Sequence, residues 1–174
     1  MEKLDSDRKR LLLDQRGRLV SLVDGCAAPK GAALKTRHHG DYHLGQVLIA
    51  NNDFVIIDFE GEPSRPLEDS RRKHSPLRDV AGMLRSFSYA KWSAMDRAEA
   101  KDATGLDAWE NEVRRAFLGA YAEVSGISLE DCSGLLRLFE LEKVLYELRY
   151  EINNRPAWIH VPLSGVIGML GGAR

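Results

Sequence analysis

His39-Gly-Asp-Tyr-His-Leu-Gly-Gln46 and Ile57-Asp-Phe-Glu-Gly61 decide the reading of this chain, because together they bracket a β-hairpin with polar residues at both of its open ends. Gln46-Val-Leu-Ile-Ala50 and Phe54-Val-Ile-Ile-Asp-Phe59 are short β-branched runs, and Asn51-Asn52-Asp53 between them has turn chemistry. A tight hairpin returns the end of its second strand to the edge where the first began. Asp41 and Asp58 are therefore expected to converge.

Outward from the hairpin the pattern becomes helical. Apolar Leu11, Leu12, Leu13, Leu19, Val20, Leu22 and Val23 recur among charges from Ser6 to about Asp24, and Gly25, Pro29 and Gly31 end that pattern. Between Gly61 and Pro76, prolines and the run Glu68-Asp-Ser-Arg-Arg-Lys73 mark a long loop. Ser75-Pro76 then reads as a cap opening a helix to about Met95, followed by helices near Leu106–Val124, Ser128–Asn153 and Pro162–Leu170. The expected class is mainly α with a small β-hairpin (α+β), in one domain spanning 1–174, with a catalytic and metal-binding part over 37–63 and a helical part over 75–174.

The bulk properties exclude several classes. A chain of 174 residues, 44% hydrophobic and 29% charged, has the balance of a water-soluble globular domain. Its 25 basic and 26 acidic side chains are interspersed and give a net charge of −1, so no nucleic-acid or anionic membrane partner is indicated. Cys26 and Cys132 are far apart and outside any zinc-binding spacing. The leucines after Arg10 are too few for a signal peptide's apolar core, and no run approaches the roughly 20 apolar residues that span a bilayer. The reading is a cytoplasmic protein.

Phosphoryl transfer requires a carboxylate to orient the attacking hydroxyl and accept its proton, and oxygen ligands to hold Mg²⁺ on the phosphates. Protein kinases supply an Asp, an amide five residues later and a second Asp after the next strand; Asp41, Gln46 and Asp58 repeat that arrangement. Hard oxygen donors suit Mg²⁺. Either Asp alone reads as a turn or strand-end carboxylate; the three in combination point to chemistry.

His39-Gly-Asp-Tyr-His-Leu-Gly-Gln46 resembles the H-G-D-x-H-x-x-Q/N motif of aminoglycoside-phosphotransferase-like small-molecule kinases. Asp58-Phe-Glu-Gly-Glu-Pro63 looks like the version found in bacterial maltokinases, as do Lys73–Phe87, Phe139–Glu151 and Asn154–Leu163. This resemblance implies the C-terminal lobe of the protein-kinase-like fold and transfer of a phosphoryl group from ATP to the anomeric hydroxyl of maltose. The product would be maltose 1-phosphate, between trehalose and α-glucan synthesis. It implies Asp41 as base, Gln46 and Asp58 as Mg²⁺ ligands, maltose and ATP as partners, and a fused trehalose synthase as a frequent neighbour in the chain.

Along the helix near Ser128–Asn153, Leu138, Leu141, Leu145, Leu148 and Ile152 form one seam expected in the core, while Phe139, Lys143, Tyr146 and Tyr150 fall on the opposite side. These tyrosines either cover a neighbouring element or form a platform for a sugar, with Lys143 as a polar contact. The resemblance places this helix at the acceptor site, which favours substrate binding for Lys143, Tyr146 and Tyr150; Phe139 is assigned to packing. His43 either contacts the acceptor sugar or shapes its loop. Glu60, with Glu62, either binds sugar hydroxyls and orients ligands or lies on a solvated edge. Asp79 is read as a brace for the catalytic loop. Arg71, Arg72 and Lys73 are read as a solvated face, and His38, His74 and His160 as structural or solvated.

The strand–glycine loop–strand pattern and β-strand lysine of an ATP-binding lobe are not seen in the 38 residues before His39. The chain is thus expected to be a C-terminal lobe without its N-terminal lobe. Three readings stay open: a fragment of a longer enzyme, one half of an assembly with a separate N-terminal kinase lobe, and a non-catalytic carbohydrate-binding or interaction module.

Overall fold

Ser75 opens the central helix of the structure, a computed structural model that describes residues 10, 12–26, 34–59, 72–97 and 103–171. Its hydroxyl accepts the Leu77 amide, Pro76 precedes the first helical residue, and Asp79 supplies first-turn negative charge. The resulting helix, α2 (Leu77–Arg97), packs against α3 (Ala103–Ser125) and α4 (Ser133–Asn154). Around them lie α1 (Arg16–Asp24), α5 (His160–Gly171) and the hairpin strands β1 (Val47–Ala50) and β2 (Asp53–Ile56). The class is as expected, mainly helical with a two-stranded antiparallel sheet.

The hairpin is tighter than its sequence suggested. Ala50 pairs with Asp53, leaving Asn51 and Asn52 as the turn, both with positive φ. Asparagine tolerates that left-handed conformation, and two such residues in a row match the right-handed twist of the flanking strands. Pairing ends at Ile56, so the second strand stops short of the expected Phe59. The expected first helix is described only in its later part, where 12–14 and Arg16–Asp24 are helical on either side of Gln15.

Among the described residues three apolar clusters hold the helices, the smallest of them Leu148 with Ile159. Leu77, Val80, Ala81, Met83, Leu84 and Phe87 of α2 gather with Leu136, and Leu141 and Val144 of α4 meet Val166 and Leu170 of α5. The seam expected on α4 is only partly right. Leu141 and Leu148 are buried, but Leu145 is 40% exposed, and Val144, Glu147 and Glu151 take the interior face. Periodicity missed this because two of the inward residues are charged.

Their burial is made tolerable by pairing. Arg85 Nε and Nη2 donate to Glu147 Oε2 at 3.0 and 2.9 Å, and Arg85 Nη1 reaches the Ser88 hydroxyl at 3.3 Å. Glu151, 1% exposed, accepts from Tyr89 Oη and from the Arg155 guanidinium. Burial pushes the Glu147 carboxyl above the usual carboxylate range, against the pull of Arg85. Gly165 of α5 is required here, because a Cβ would stand 2.6 Å from Arg85 Nη1 and 2.9 Å from Val144.

Removing one member of such a pair strands a buried charge. Arg85→Met is expected to lower unfolding free energy in urea by about 3–5 kcal/mol, whereas Arg85→Met/Glu147→Leu recovers much of that loss. A double variant no more stable than Arg85→Met would show that the pair is not what holds α2 to α4.

Candidate active site

Asp79 builds the loop that carries Asp41. From the first turn of α2, its Oδ2 accepts the His39 amide at 2.6 Å and its Oδ1 the Gly40 amide at 3.0 Å. Two backbone donors that precede Asp41 are thus satisfied by one ionised side chain, as the sequence reading of Asp79 as a brace anticipates. Gly40, with φ of 89°, supplies the left-handed step between His39 and Asp41. Gly82, one turn further along α2, lets the helix approach the loop; a Cβ there would meet the Tyr42 carbonyl oxygen at 2.6 Å.

His39 joins this loop to the hairpin. Its Nδ1 accepts the Asp41 amide at 3.3 Å, which leaves the proton on Nε2, and Nε2 donates to the Ile57 carbonyl at 2.8 Å. The ring is 6% exposed and lies between Tyr42 and Phe59, with centroid distances of 5.6 and 4.8 Å. One histidine therefore couples the backbone of Asp41 to the residue preceding Asp58. The sequence reading quoted His39 only as part of the motif; its spacing two residues before Asp41 was the available signal.

Beyond Ile57, Asp58 adopts a positive φ of 64° and its Oδ2 accepts Gln46 Nε2 at 2.8 Å. A non-glycine residue held in that region stores strain, a feature common at functional sites. The amide oxygen of Gln46 and the other oxygen of Asp58 are hard donors of the type Mg²⁺ takes, and Mg²⁺ commonly uses one or two protein carboxylates and completes its shell with phosphate and water. The pair fits that ion. Among the described residues no cluster of three or more His, Cys, Asp or Glu could hold a metal by itself.

On the other side of the loop Asp41 faces α4. Lys143 Nζ lies 3.2 Å from Asp41 Oδ1, and His43 Nε2 is 3.8 Å from Asp41 Oδ2. A cavity of about 310 Å³ opens there, its lining including Asp41, Arg78, Phe139, Glu142, Lys143 and Tyr146. Arg78 pairs with Glu142 at 3.0 Å and lies 5.0 Å from the Phe139 ring centroid; Lys143 Nζ is 5.2 Å from that of Tyr146.

The expected site residues divide accordingly. Asp41, Lys143 and Tyr146 come together at the cavity, while Gln46 and Asp58 pair at the hairpin and do not line it. His43 shapes its turn, its Nδ1 accepting the Gly45 amide at 3.0 Å, and its other nitrogen faces Asp41. Tyr150 is not in the lining; its ring lies 5.5 Å from the Arg155 guanidinium. Phe139, assigned to packing, contacts the core and also walls the cavity. Arg78 and Glu142 were missed, since each reads on its own as a surface charge on a helix. Glu60, Glu62 and Arg71 lie outside the described residues.

No family model matches the chain. A glucosamine kinase of Mycolicibacterium smegmatis (strain ATCC 700084 / mc(2)155) is 33% identical over 135 residues, covering 76% of this chain and 34% of that protein. Another from Streptacidiphilus jiangxiensis is 30% identical over 128 residues, covering 71% and 29%. The chain thus spans about a third of the length of the curated relatives it matches. A solved glucosamine kinase (crystal form B) superposes with a TM-score of 0.83 at 23% identity, over 98% of this chain and 42% of that one. A glucosamine kinase solved in complex with glucosamine, ADP and inorganic phosphate gives 0.82 at 23%, over 97% and 41%. The fold is therefore kinase-like. The resemblance to maltokinase narrows to this broader kinship, because these relatives carry the name glucosamine kinase.

Asp79→Asn would turn an amide donor toward one of two backbone donors. The expected cost is about 1.5–3 kcal/mol, the range for a hydrogen bond to a charged group. Hydrogen exchange should accelerate at the His39 and Gly40 amides before it does in α4; unchanged protection there would remove Asp79 as the brace.

Proposed function

We propose that this chain is the acceptor-binding half of a sugar phosphotransferase, in which Asp41 orients the attacking hydroxyl of the sugar and accepts its proton. The observation that carries the reading is the placement of Asp41. One face of it meets the Lys143–Tyr146 cavity, and its backbone is tied through His39 to the strand end that carries Asp58. Acceptor and phosphate thus have separate binding surfaces on either side of one carboxylate. Gln46 and Asp58 would hold Mg²⁺, which when bound neutralises the charge of the ATP phosphates. Lys143 and the Arg78–Glu142 pair supply placed polar contacts, and Phe139 and Tyr146 offer ring faces to the apolar side of a sugar.

The relatives point to glucosamine as the acceptor, and two features support an amino-hexose over maltose. The cavity, about 310 Å³, is at the small end of ligand pockets, and Glu142 places a carboxylate in its wall where an ammonium group could pair. Maltose is the second reading. Its support is Tyr150, 44% exposed one turn beyond Tyr146 of the cavity wall, where a second glucose ring could lie outside the cavity.

ATP would be the co-substrate, bound largely by an N-terminal lobe in the same polypeptide or a separate one. The hairpin supplies the surface for it: Ile49 is 78% and Phe54 70% exposed, beside Leu48, Val55 and Phe59. Contiguous apolar side chains of this kind mark an interaction site.

Calorimetric titration with glucosamine, maltose and Mg·ATP, with a transfer assay in parallel, tests the reading. Glucosamine is expected to bind more tightly than maltose, and Glu142→Gln to narrow that difference. Where transfer is measurable, Asp41→Asn should reduce it by about 10²–10⁴-fold while sugar binding persists. Sugar binding with no transfer even beside an ATP-binding lobe would favour the non-catalytic module, and no sugar binding would end both.

A further inference from the structure

Arg78, Arg85, Lys91, Arg114 and Lys143 each have a carboxylate partner: Glu142, Glu147, Glu110, Glu140 and Asp41 respectively. Arg18 and Arg137 depart from this pattern. Arg18 donates to the Leu170 carbonyl at 2.9 Å and to the Gln15 side-chain oxygen at 3.0 Å, and Arg137 donates to the Met169 carbonyl at 2.9 Å. Among the described residues neither forms an ion pair. A guanidinium carries five N–H donors and keeps its charge at any physiological pH, so carbonyl contacts leave donors and charge unused.

Both arginines line the same cavity, about 630 Å³, between α1, the start of α4 and the end of α5. Among the described residues its other walls are Ser21, Leu22, Gly25, Cys26, Ser133, Gly134 and Leu170, with no carboxylate among them. Asp24, Glu130 and Asp131 stand nearby in sequence but not in the lining. Ser133 and Gly134 are the first residues of a 22-residue helix whose N-cap, Cys132, makes no side-chain cap and whose first turn has no acid. The positive end of that dipole adds to the two guanidinium groups. None of these residues lines the cavity at Asp41.

We propose that this cavity binds a phosphoryl group through Arg18 and Arg137, at a site separate from the acceptor pocket. Two guanidinium forks match phosphate oxygens bidentately; the Ser21 and Ser133 hydroxyls in the same walls already donate to the Gly17 and Glu130 carbonyls, so the two arginines are the donors on which the site rests. The cavity volume also accommodates a phosphate carried on a small organic body. Arg137 and Lys143 belong to one rigid helix, six residues apart, or about 9 Å along the axis. An anion held at one therefore bears on the element that positions the other.

The probes are inorganic phosphate and a hexose monophosphate, titrated by thermal shift and calorimetry against sodium chloride of equal ionic strength. Saturable stabilisation by either probe, absent with chloride, is expected. Stronger binding of the hexose monophosphate would identify a phosphorylated metabolite as the source; equal binding would identify the free ion. Arg18→Gln/Arg137→Gln should weaken binding by on the order of tenfold or more. Because that variant also loosens the end of α5, Ser21→Glu serves as the second variant. It leaves both arginine–carbonyl contacts in place and sets a carboxylate into the cavity, and it should abolish binding. Lys143→Met, which alters the acceptor pocket, should leave phosphate binding intact even if it abolishes sugar binding. No stabilisation by either probe, or stabilisation undiminished in Ser21→Glu, overturns the proposal.

Discussion

The carboxylate of Asp79, set one turn into α2, accepts the backbone amides of His39 and Gly40 and thereby fixes where the loop ahead of the hairpin lies. Everything that gives Asp41 a defined direction follows from that contact. With the loop seated on α2, the absence of a Cβ at Gly82 lets the Tyr42 carbonyl close on the helix. His39 is then buried at the point where its ring spans from the Asp41 amide to the Ile57 carbonyl. The hairpin itself has little to hold it, since its strands are exposed and a lone two-stranded ribbon is marginal in water. Its position is set at its open end, by Val47 packed against the apolar cluster of α2 and by the His39 bond to the Ile57 carbonyl.

Charge placement divides the molecule into regions of different character. Between α2 and α4, acids and bases meet with little solvent, and Arg85, Glu147, Tyr89 and Glu151 satisfy one another. Such pairing gains little net stability over an apolar packing but penalises any shift of one helix along the other. At the Asp41 cavity the same kinds of side chain are more exposed, with Arg78 and Glu142 at 3.0 Å and Lys143 and Asp41 at 3.2 Å, and under the proposed function an arriving polyol would exchange partners with them. A rigid interior thus supports a wall that can rearrange.

The elements that sequence made legible are those with strong local signals. Ser75-Pro76 opens α2, Asn51-Asn52 turns the hairpin, and the spacing of Asp41, Gln46 and Asp58 matches the pairing seen between the last two. Asp79 was legible on its own as a first-turn acid favoured by the helix dipole, and as a brace through the resemblance to kinase-like folds, where a helical Asp often holds the catalytic loop. The interior of α4 was not legible. Glu147 and Glu151 face inward because Arg85, Tyr89 and Arg155 meet them, and those partners are distant or non-apolar in sequence, so hydrophobic periodicity rotated the seam toward Leu145. Tyr146 reaches the cavity, while Tyr150, one turn later, meets the Arg155 guanidinium instead.

Gly165 has a consequence for how sequences of this kind diverge. It faces the Arg85 guanidinium so closely that a methyl group has no room, while Gly168 and Gly171 on the same helix have nothing within 4 Å of an added Cβ. Drift at the latter two positions is sterically free at this level. Residue 165 is instead bound to residues 85 and 144: alanine or larger becomes admissible at 165 only where the side chains at both of those positions have drawn back. An alignment of homologues should therefore show a larger residue at 165 only together with changes at 85 and 144.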